Sequence, residues 1–439
     1  MARRHALPTP LGRFPYLTRR GQRLARPGRL VGYPPGVAVA GRSVCRARRR
    51  HQDVTTREAI MNDRTVPQPE RGGGGWVDPG PRDVVRDRQN PDLLTPPSTD
   101  AGTLPNLRFS FSDAHTRVQR GGWTREVTVR ELPIATELCG VDMALEPGGY
   151  REMHWHKQSE WAYVSRGSAR ISAVDQEGRN FLDDVRAGDL WFFPQGVPHH
   201  IQALDEGVEF LLVFDDGAFT ENGTFLISDF FAHTPKEVLA KNFGWRLDQL
   251  DSIPEREKYI FAGQVPPPLD ADRVVSPTGD VPRSLSHRLL AQKPQRFPGG
   301  QVRIADVTQF AASTTICAAL VEVDPGGMRE LHWHPTDDEW QYYLSGHGRM
   351  GVFASSGVAG TFDMRSGDVG YVPFAYGHYI ENLGTEPLVF LEMFRKPRFE
   401  SVSLTQWMAN TPPEVSADTL NLPRELIEAL PRDQRPVIR

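Results

Sequence analysis

From Leu107 onward the chain alternates short apolar stretches with turns rich in Gly, Pro and Asp. LRFSF, REVTVREL, LCGVDMALEP, EWAYVSRGSARISAVD, DLWFFP, HHIQAL and VEFLLVF follow one another as predicted strands, and DFFAHTPKEVLAKNF then reads as helical. Many short strands at close spacing predict a sandwich or small barrel. A second series begins near Val302 with VRIADV, TTICAALVEVDP, EWQYYLSG, HGRMGVFA, DVGYVP, HYIEN and PLVFLEMF, and also ends helically, in TQWMANTPPEVSA. Thr411-Pro412 echoes Thr234-Pro235, so the helical pieces repeat in register with the strands. The pattern predicts an all-β protein of two barrels, each with a small helical appendix: residues 106–245 and 301–439, joined by a connector over 246–300.

The segments before Leu107 lack this pattern. Residues 61–105 are polar and rich in Gly and Pro, with Gly72 to Gly75 in a row, and predict an extended arm. Residues 1–60 carry 14 Arg against only Asp53 and Glu58, with no apolar periodicity and a single apolar run broken by Pro34 and Pro35. They are expected to be disordered or upstream sequence, with Met61 as the native start. Removing this basic stretch from a net charge of −4 leaves an acidic body, which argues against nucleic acid as a partner. Forty Gly and 37 Pro suit a turn-rich β architecture, and no apolar run is long enough to span a bilayer. With no signal segment, a cytoplasmic location is expected. Cys45, Cys139 and Cys317 make no disulfide framework; Cys139 and Cys317 match across the repeat and are expected at one buried strand position in two copies.

The repeat also carries the candidate chemistry. His154 and His156, two apart, face the same way on a strand, with Trp155 on the other face. Glu160 follows a short turn, and the Pro/Gly turn at Pro194, Gly196 and Pro198 delivers His199 to the mouth of another strand. His332, His334, Glu339 and His378 repeat the set in the second half at an almost constant offset. One His-x-His is weak evidence of a metal site, but two sets in one register are not accidental. Three imidazoles and a carboxylate suit Mn, Fe or Zn about equally.

The spacing resembles the cupin pattern in both halves: Gly148, His154-x-His156, Glu160 and Gly167, then Gly188, Pro194-x-Gly196 and His199. FSFSDAHTR, YREMHWH, EWQYYLSG and VGYVPFAYGHYIEN are more specific, and from about Val66 to the C-terminus the chain resembles the oxalate decarboxylases, which are bicupins built of two double-stranded β-helix (jelly-roll) barrels. The resemblance implies two Mn(II) per chain, dioxygen as co-catalyst, conversion of oxalate and a proton to formate and carbon dioxide, and a hexamer of two trimers. It further implies that Arg151 and Arg329, three before the leading His of each barrel, contact substrate. On an ideal strand that odd spacing would turn them away from the metals.

Aligning Phe219 with Phe399 gives the first half three extra residues around Thr220-Glu221-Asn222-Gly223. In the family the matching loop is a lid whose Glu supplies a proton, and Glu221 stands at that place; the common tetrad has Ser where this chain has Thr220 and Gly223. Gly223 is expected to loosen the loop. In the second half Glu392 interrupts an apolar strand where the first half has Leu212, and is a second candidate acid. Trp155 and Trp333 are expected to pack. The first barrel is the expected principal site and the second auxiliary or structural. Proton delivery to the one-carbon radical anion left by decarboxylation separates a decarboxylase from the runner-up, an oxalate oxidase releasing peroxide. Because formate formation consumes a proton, activity is expected to rise in mild acid. A non-catalytic storage or binding bicupin is the alternative of another class.

Overall fold

The computed structural model describes residues 81–439; the expectations for residues 1–60, and for the arm over 61–80, lie outside the described part. Strands β1 (Arg108–Ser110), β2 (Thr116–Gln119), β3 (Gly122–Val127), β4 (Cys139–Leu145), β5 (Tyr150–Trp155), β6 (Glu160–Val174), β7 (Asn180–Arg186), β8 (Leu190–Phe193), β9 (His199–Phe214) and β10 (Phe225–Leu226) come first. Two short strands, β11 (Ile260–Phe261) and β12 (Ser286–His287), lie in the expected connector, and the strand that opens the second series also falls within its end. The second series is β13 (Gln295–Phe297), β14 (Gly300–Ala305), β15 (Cys317–Val323), β16 (Met328–Trp333), β17 (Glu339–Ser345), β18 (His347–Phe353), β19 (Ala359–Arg365), β20 (Asp368–Val372), β21 (Gly377–Asn382), β22 (Leu388–Phe394), β23 (Val402–Ser403) and β24 (Val437–Ile438).

The first barrel is one continuous sheet because β6 and β9 are long enough to bend through both of its faces; their pairing shifts register around Val164–Ala169, beside Gly167 and Gly207, both at φ near +70°. In the second barrel the corresponding strands are broken, at Gly346 and again between Asn382 and Leu388, so its faces are two separate sheets. The barrels pack through large buried rings. A Cβ at Gly140 would lie 2.5 Å from Trp340 Cζ2, so glycine is what lets β4 approach the other barrel. Cys139 and Cys317 are both free and buried.

Three features differ from the sequence expectation. The arm is not wholly extended: helices span Val84–Gln89 and Pro91–Leu94, the first capped by Asp83 accepting from Val85 N and Arg86 N, the second started by Pro91. β1, assigned to the first barrel, instead pairs with β20 of the second, and β12, which precedes the second barrel, pairs with β8 of the first. The connector is not a passive link, because β11 pairs with the site strand β5 just as the C-terminal β24 pairs with β16.

Asp142 on β4 is buried between the barrels, with Arg125 opposite it in the β3 ladder. Burial first, and then the Glu209 carboxylate, push its carboxyl up to about 7. A carboxyl raised in the folded state binds protons that the unfolded chain has released, so its stabilisation is complete below the unfolded value near 4 and is lost as pH rises to about 7. Asp142→Asn should therefore leave stability at pH 4 nearly unchanged and raise it at pH 8 by up to roughly 4 kcal/mol. Thermal unfolding at both pH values measures this; equal shifts at the two would exclude Asp142 as the cause.

Candidate metal centres

In each barrel the ligating atoms of three His and one Glu lie within 4.8 Å of one another, and all eight residues are buried. His154 and His156 come from β5 and its end, Glu160 opens β6, and His199 opens β9. Every Nδ1 that faces a backbone carbonyl must donate, and all six do: His154 to Glu152 O at 2.6 Å, His156 to Gln158 O at 2.7 Å and His199 to Val197 O at 2.8 Å. In the second barrel His332 donates to Glu330 O at 2.7 Å, His334 to Glu400 O at 2.6 Å and His378 to Tyr376 O at 3.0 Å. Each Nε2 therefore presents a lone pair to the centre. His199 Nε2 and His332 Nε2 are buried with no hydrogen-bond partner, as expected of ligands to an ion.

Electrostatics agree with that role. Burial, and then the charge of the neighbouring arginine, hold His154 and His332 neutral, well below the ordinary imidazole value. Burial alone would raise the Glu160 and Glu339 carboxyls; positive charge on the facing imidazoles holds both below the usual carboxylate range, and with those imidazoles neutral a bound cation would supply that charge. The donor sets fit a divalent transition metal. Removing one carboxylate should remove one ion: Glu160→Gln and Glu339→Gln are each expected to carry one metal fewer per chain than the parent. Metal analysis after dialysis against metal-containing buffer checks it, and an unchanged count in either variant would refute that site.

The carboxylates differ in what supports them. Glu160 Oε1 accepts from the Trp191 indole at 2.8 Å, whereas Glu339 Oε1 accepts from the Gln341 amide at 2.8 Å, and Gln341 Oε1 in turn accepts from Tyr343 Oη at 2.8 Å. The donor has changed strands: Trp191 faces Ala162 across β8–β6, and Gln341 faces Gly370 across β17–β20. A Cβ at Gly370 would lie 2.4 Å from Gln341 Oε1, so only one large side chain fits each pair.

The odd spacing of the arginines is resolved by a bulge. The β5–β9 pairing shifts between Arg151 and His154, and the β16–β21 pairing between Arg329 and His332, which changes the parity of the strand. Both arginines are buried, but they are used differently. Arg151 Nη2 donates to Glu221 Oε2 at 3.1 Å, and its Nη1 is buried without a partner. Each nitrogen of Arg329 has a partner: Nε donates to Glu392 Oε1 at 2.8 Å, Nη2 to Glu392 Oε2 at 3.5 Å and Nη1 to Pro436 O at 3.3 Å. Burial raises the Glu392 carboxyl despite this pairing.

Glu221 lies in a short 3₁₀ turn, Glu221–Gly223, entered through Thr220, whose hydroxyl accepts from Asn222 N at 3.3 Å. The residue is 3% exposed, and its carboxylate accepts a second hydrogen bond from Tyr259 Oη at 2.6 Å. Gly223 does not use the left-handed region, and a Cβ there would meet nothing nearer than Thr220 Cγ2 at 3.6 Å, so a serine would fit. Nothing in the sequence singles out Tyr259. It belongs to the connector strap that ends in β11, its phenol is held protonated by burial and then by the Glu221 charge, and the Arg117 and Arg151 guanidiniums lie over its ring at 3.6 and 4.4 Å. Its counterpart in the second half is Pro436, at the same offset that relates the two Thr-Pro pairs. Trp155 stacks on Phe225 and Trp333 packs edge-on against Trp407, both on the helical-appendix side.

Twin barrels, each with a three-His, one-Glu cluster able to hold a metal ion, define a bicupin. Residues 109–251 and 287–428 both match the Cupin family. The chain is 56% identical over 374 residues to the oxalate decarboxylase OxdC of Bacillus subtilis, covering 85% of this chain and 97% of that one. It is 39% identical to a probable oxalate decarboxylase of Arthroderma benhamiae over 87% of this chain and 97% of the relative. The solved structure of the Bacillus subtilis enzyme superposes with a TM-score of 0.83 at 56% identity, covering 85% and 98% of the two chains. Another structure of that enzyme, from work on its Mn(II) centres, gives 0.84 at 55% identity over 85% and 99%. The chain belongs to the oxalate decarboxylase family.

Proposed function

We propose that the protein is a manganese-dependent oxalate decarboxylase that converts oxalate and one proton to formate and carbon dioxide, with its working site in the first barrel. The observation that carries the placement is the contrast between the arginines. Arg151 keeps a buried Nη1 uncommitted, which suits a substrate carboxylate, while each guanidinium nitrogen of Arg329 already has a partner in Glu392 or Pro436. The loop over the second centre is also tied down: Glu400 O accepts from the ligand His334, and Lys396 Nζ bridges Asp337 at 2.8 Å and Glu400 at 3.0 Å.

His154, His156, Glu160 and His199 would hold the ion. Manganese(II), with dioxygen as co-catalyst, would supply one-electron withdrawal from bound oxalate, the step that lets the carbon-carbon bond part. Arg151 holds a carboxylate beside the ion. Glu221, shut in by Tyr259 and Arg151, takes up the proton that the reaction consumes and passes it to the remaining one-carbon fragment, which regains the electron withdrawn from oxalate and leaves as formate. Failure of that transfer would lead to a second carbon dioxide and peroxide, the oxidase outcome. A storage or binding bicupin would have no use for two intact ligand sets with a buried arginine and acid beside them.

Assembly as a hexamer of two trimers and a cytoplasmic location belong to the same proposal; among the described residues no helix is long and apolar enough to cross a membrane. An oxalate assay on the manganese-loaded protein, quantifying formate, carbon dioxide and peroxide together, tests the reading. One formate and one carbon dioxide per oxalate is the expected result, and no turnover with both sites loaded would overturn it.

A further inference from the structure

Glu152 lies between Arg151 and the ligand strand's His154, yet its buried carboxylate is spent on chain that has nothing to do with the metal. Oε1 accepts from Ser228 N at 3.0 Å, Oε2 accepts from Lys258 N at 3.0 Å and Tyr259 N at 2.6 Å, and Ser228 Oγ lies 2.8 and 2.9 Å from the two oxygens. Ser228 Oγ also accepts from Lys258 N at 2.9 Å. One carboxylate thus ties three segments: the site strand, the helix Ile227–Ala232 that follows the 220–224 loop, and the connector strap.

What it fixes on the strap is unusual. Tyr259 is one of four non-glycine residues at positive φ among the described residues, at +58°, a conformation that needs external support. That conformation directs its phenol to Glu221 while its backbone N–H meets Glu152. Glu152 therefore holds both the hinge behind the loop and the latch in front of it.

The second barrel lacks the device. Its Glu330 accepts only from Ser403 Oγ at 2.6 Å, its Oε1 is buried without a partner, and Pro436, in the place of Tyr259, has neither an N–H nor a phenol to offer.

We infer that Glu152 is a positioning residue that sets the closed state of the 220–224 loop, and through it the division of product between formate and peroxide, without touching substrate. This rests on the reading of Glu221 as proton donor given above.

The test is Glu152→Gln in the manganese-loaded full chain, which keeps the side chain's shape but turns one acceptor into a donor facing backbone N–H groups. Amide exchange in segments 220–232 and 257–262 should quicken about tenfold or more, the peroxide-to-formate ratio should rise several-fold, and metal content should stay at that of the parent. Glu330→Gln should leave that ratio unmoved. Unchanged exchange in both segments would overturn the inference, as would quickened exchange with an unmoved product ratio where Glu221→Ala does move it. If Glu221→Ala leaves the ratio alone, the reading of the lid as proton donor falls on its own, and exchange alone decides for Glu152 as the staple of hinge and latch. Should Glu152→Gln not fold, Ser228→Ala removes only the bridging hydroxyl, and the same readouts apply.

Discussion

Replacing Glu221 by alanine is expected to leave a protein that still consumes oxalate but releases peroxide in place of most of its formate. Glu221 is the acid of the 220–224 loop, buried and held by both Arg151 and Tyr259. Tyr259 cannot take over the role: even with Glu221 gone, burial, the largest cause of its raised pKa, keeps its phenol from giving up a proton. Positioned proton transfer is worth on the order of 10²–10⁴ in rate, so formate formation should fall by at least about a hundredfold while loss of the first carbon dioxide continues. Formate and peroxide measured on one sample decide the matter. A ratio equal to that of the parent would remove Glu221 from its assigned role.

The second large effect separates the barrels. Arg151→Gln should lower kcat/KM by about a hundredfold or more, because a charge-assisted contact to a carboxylate is lost where water cannot replace it. Arg329→Gln should change kcat/KM only a few-fold and instead cost about 3–5 kcal/mol of stability, since it strands Glu392 as an unpaired acid in the core. Steady-state kinetics and denaturant unfolding on both variants give the comparison. Equal losses of turnover would mean that the second barrel shares the chemistry.

Much of this site can be read from residue order. The ligands are visible because they recur in register, and Glu392 because a carboxylate in PLVFLEMF has no cheap explanation. What escapes such a reading depends on backbone detail or on distant pairing. The bulge between Arg151 and His154 changes strand parity without any residue that announces it. Tyr259 sits in a proline-flanked stretch without a motif, and its importance comes from a positive φ and from a contact with Glu221, far back along the chain. The Trp191-for-Gln341 exchange is in plain sight as GDLWFFP against GDVGYVP, but its meaning needs the cross-strand neighbours Ala162 and Gly370. The helices at Val84–Gln89 and Pro91–Leu94 are masked by the surrounding Pro and Gly, although Asp83 and Pro91 mark their starts.

The crossed placement of β1 and β12 has a consequence for how the molecule can be divided. Leu107 O receives Tyr371 N at 2.9 Å and Leu285 O receives Phe192 N at 2.8 Å, two bonds at matching positions of the repeat, each made by the segment that leads into the opposite half. Cleaving the polypeptide between the halves would therefore give two fragments that each own a strand the other needs. Neither fragment would form an intact sheet when produced alone, whereas the pair, made together, could reclasp like two hands gripping each other's wrists.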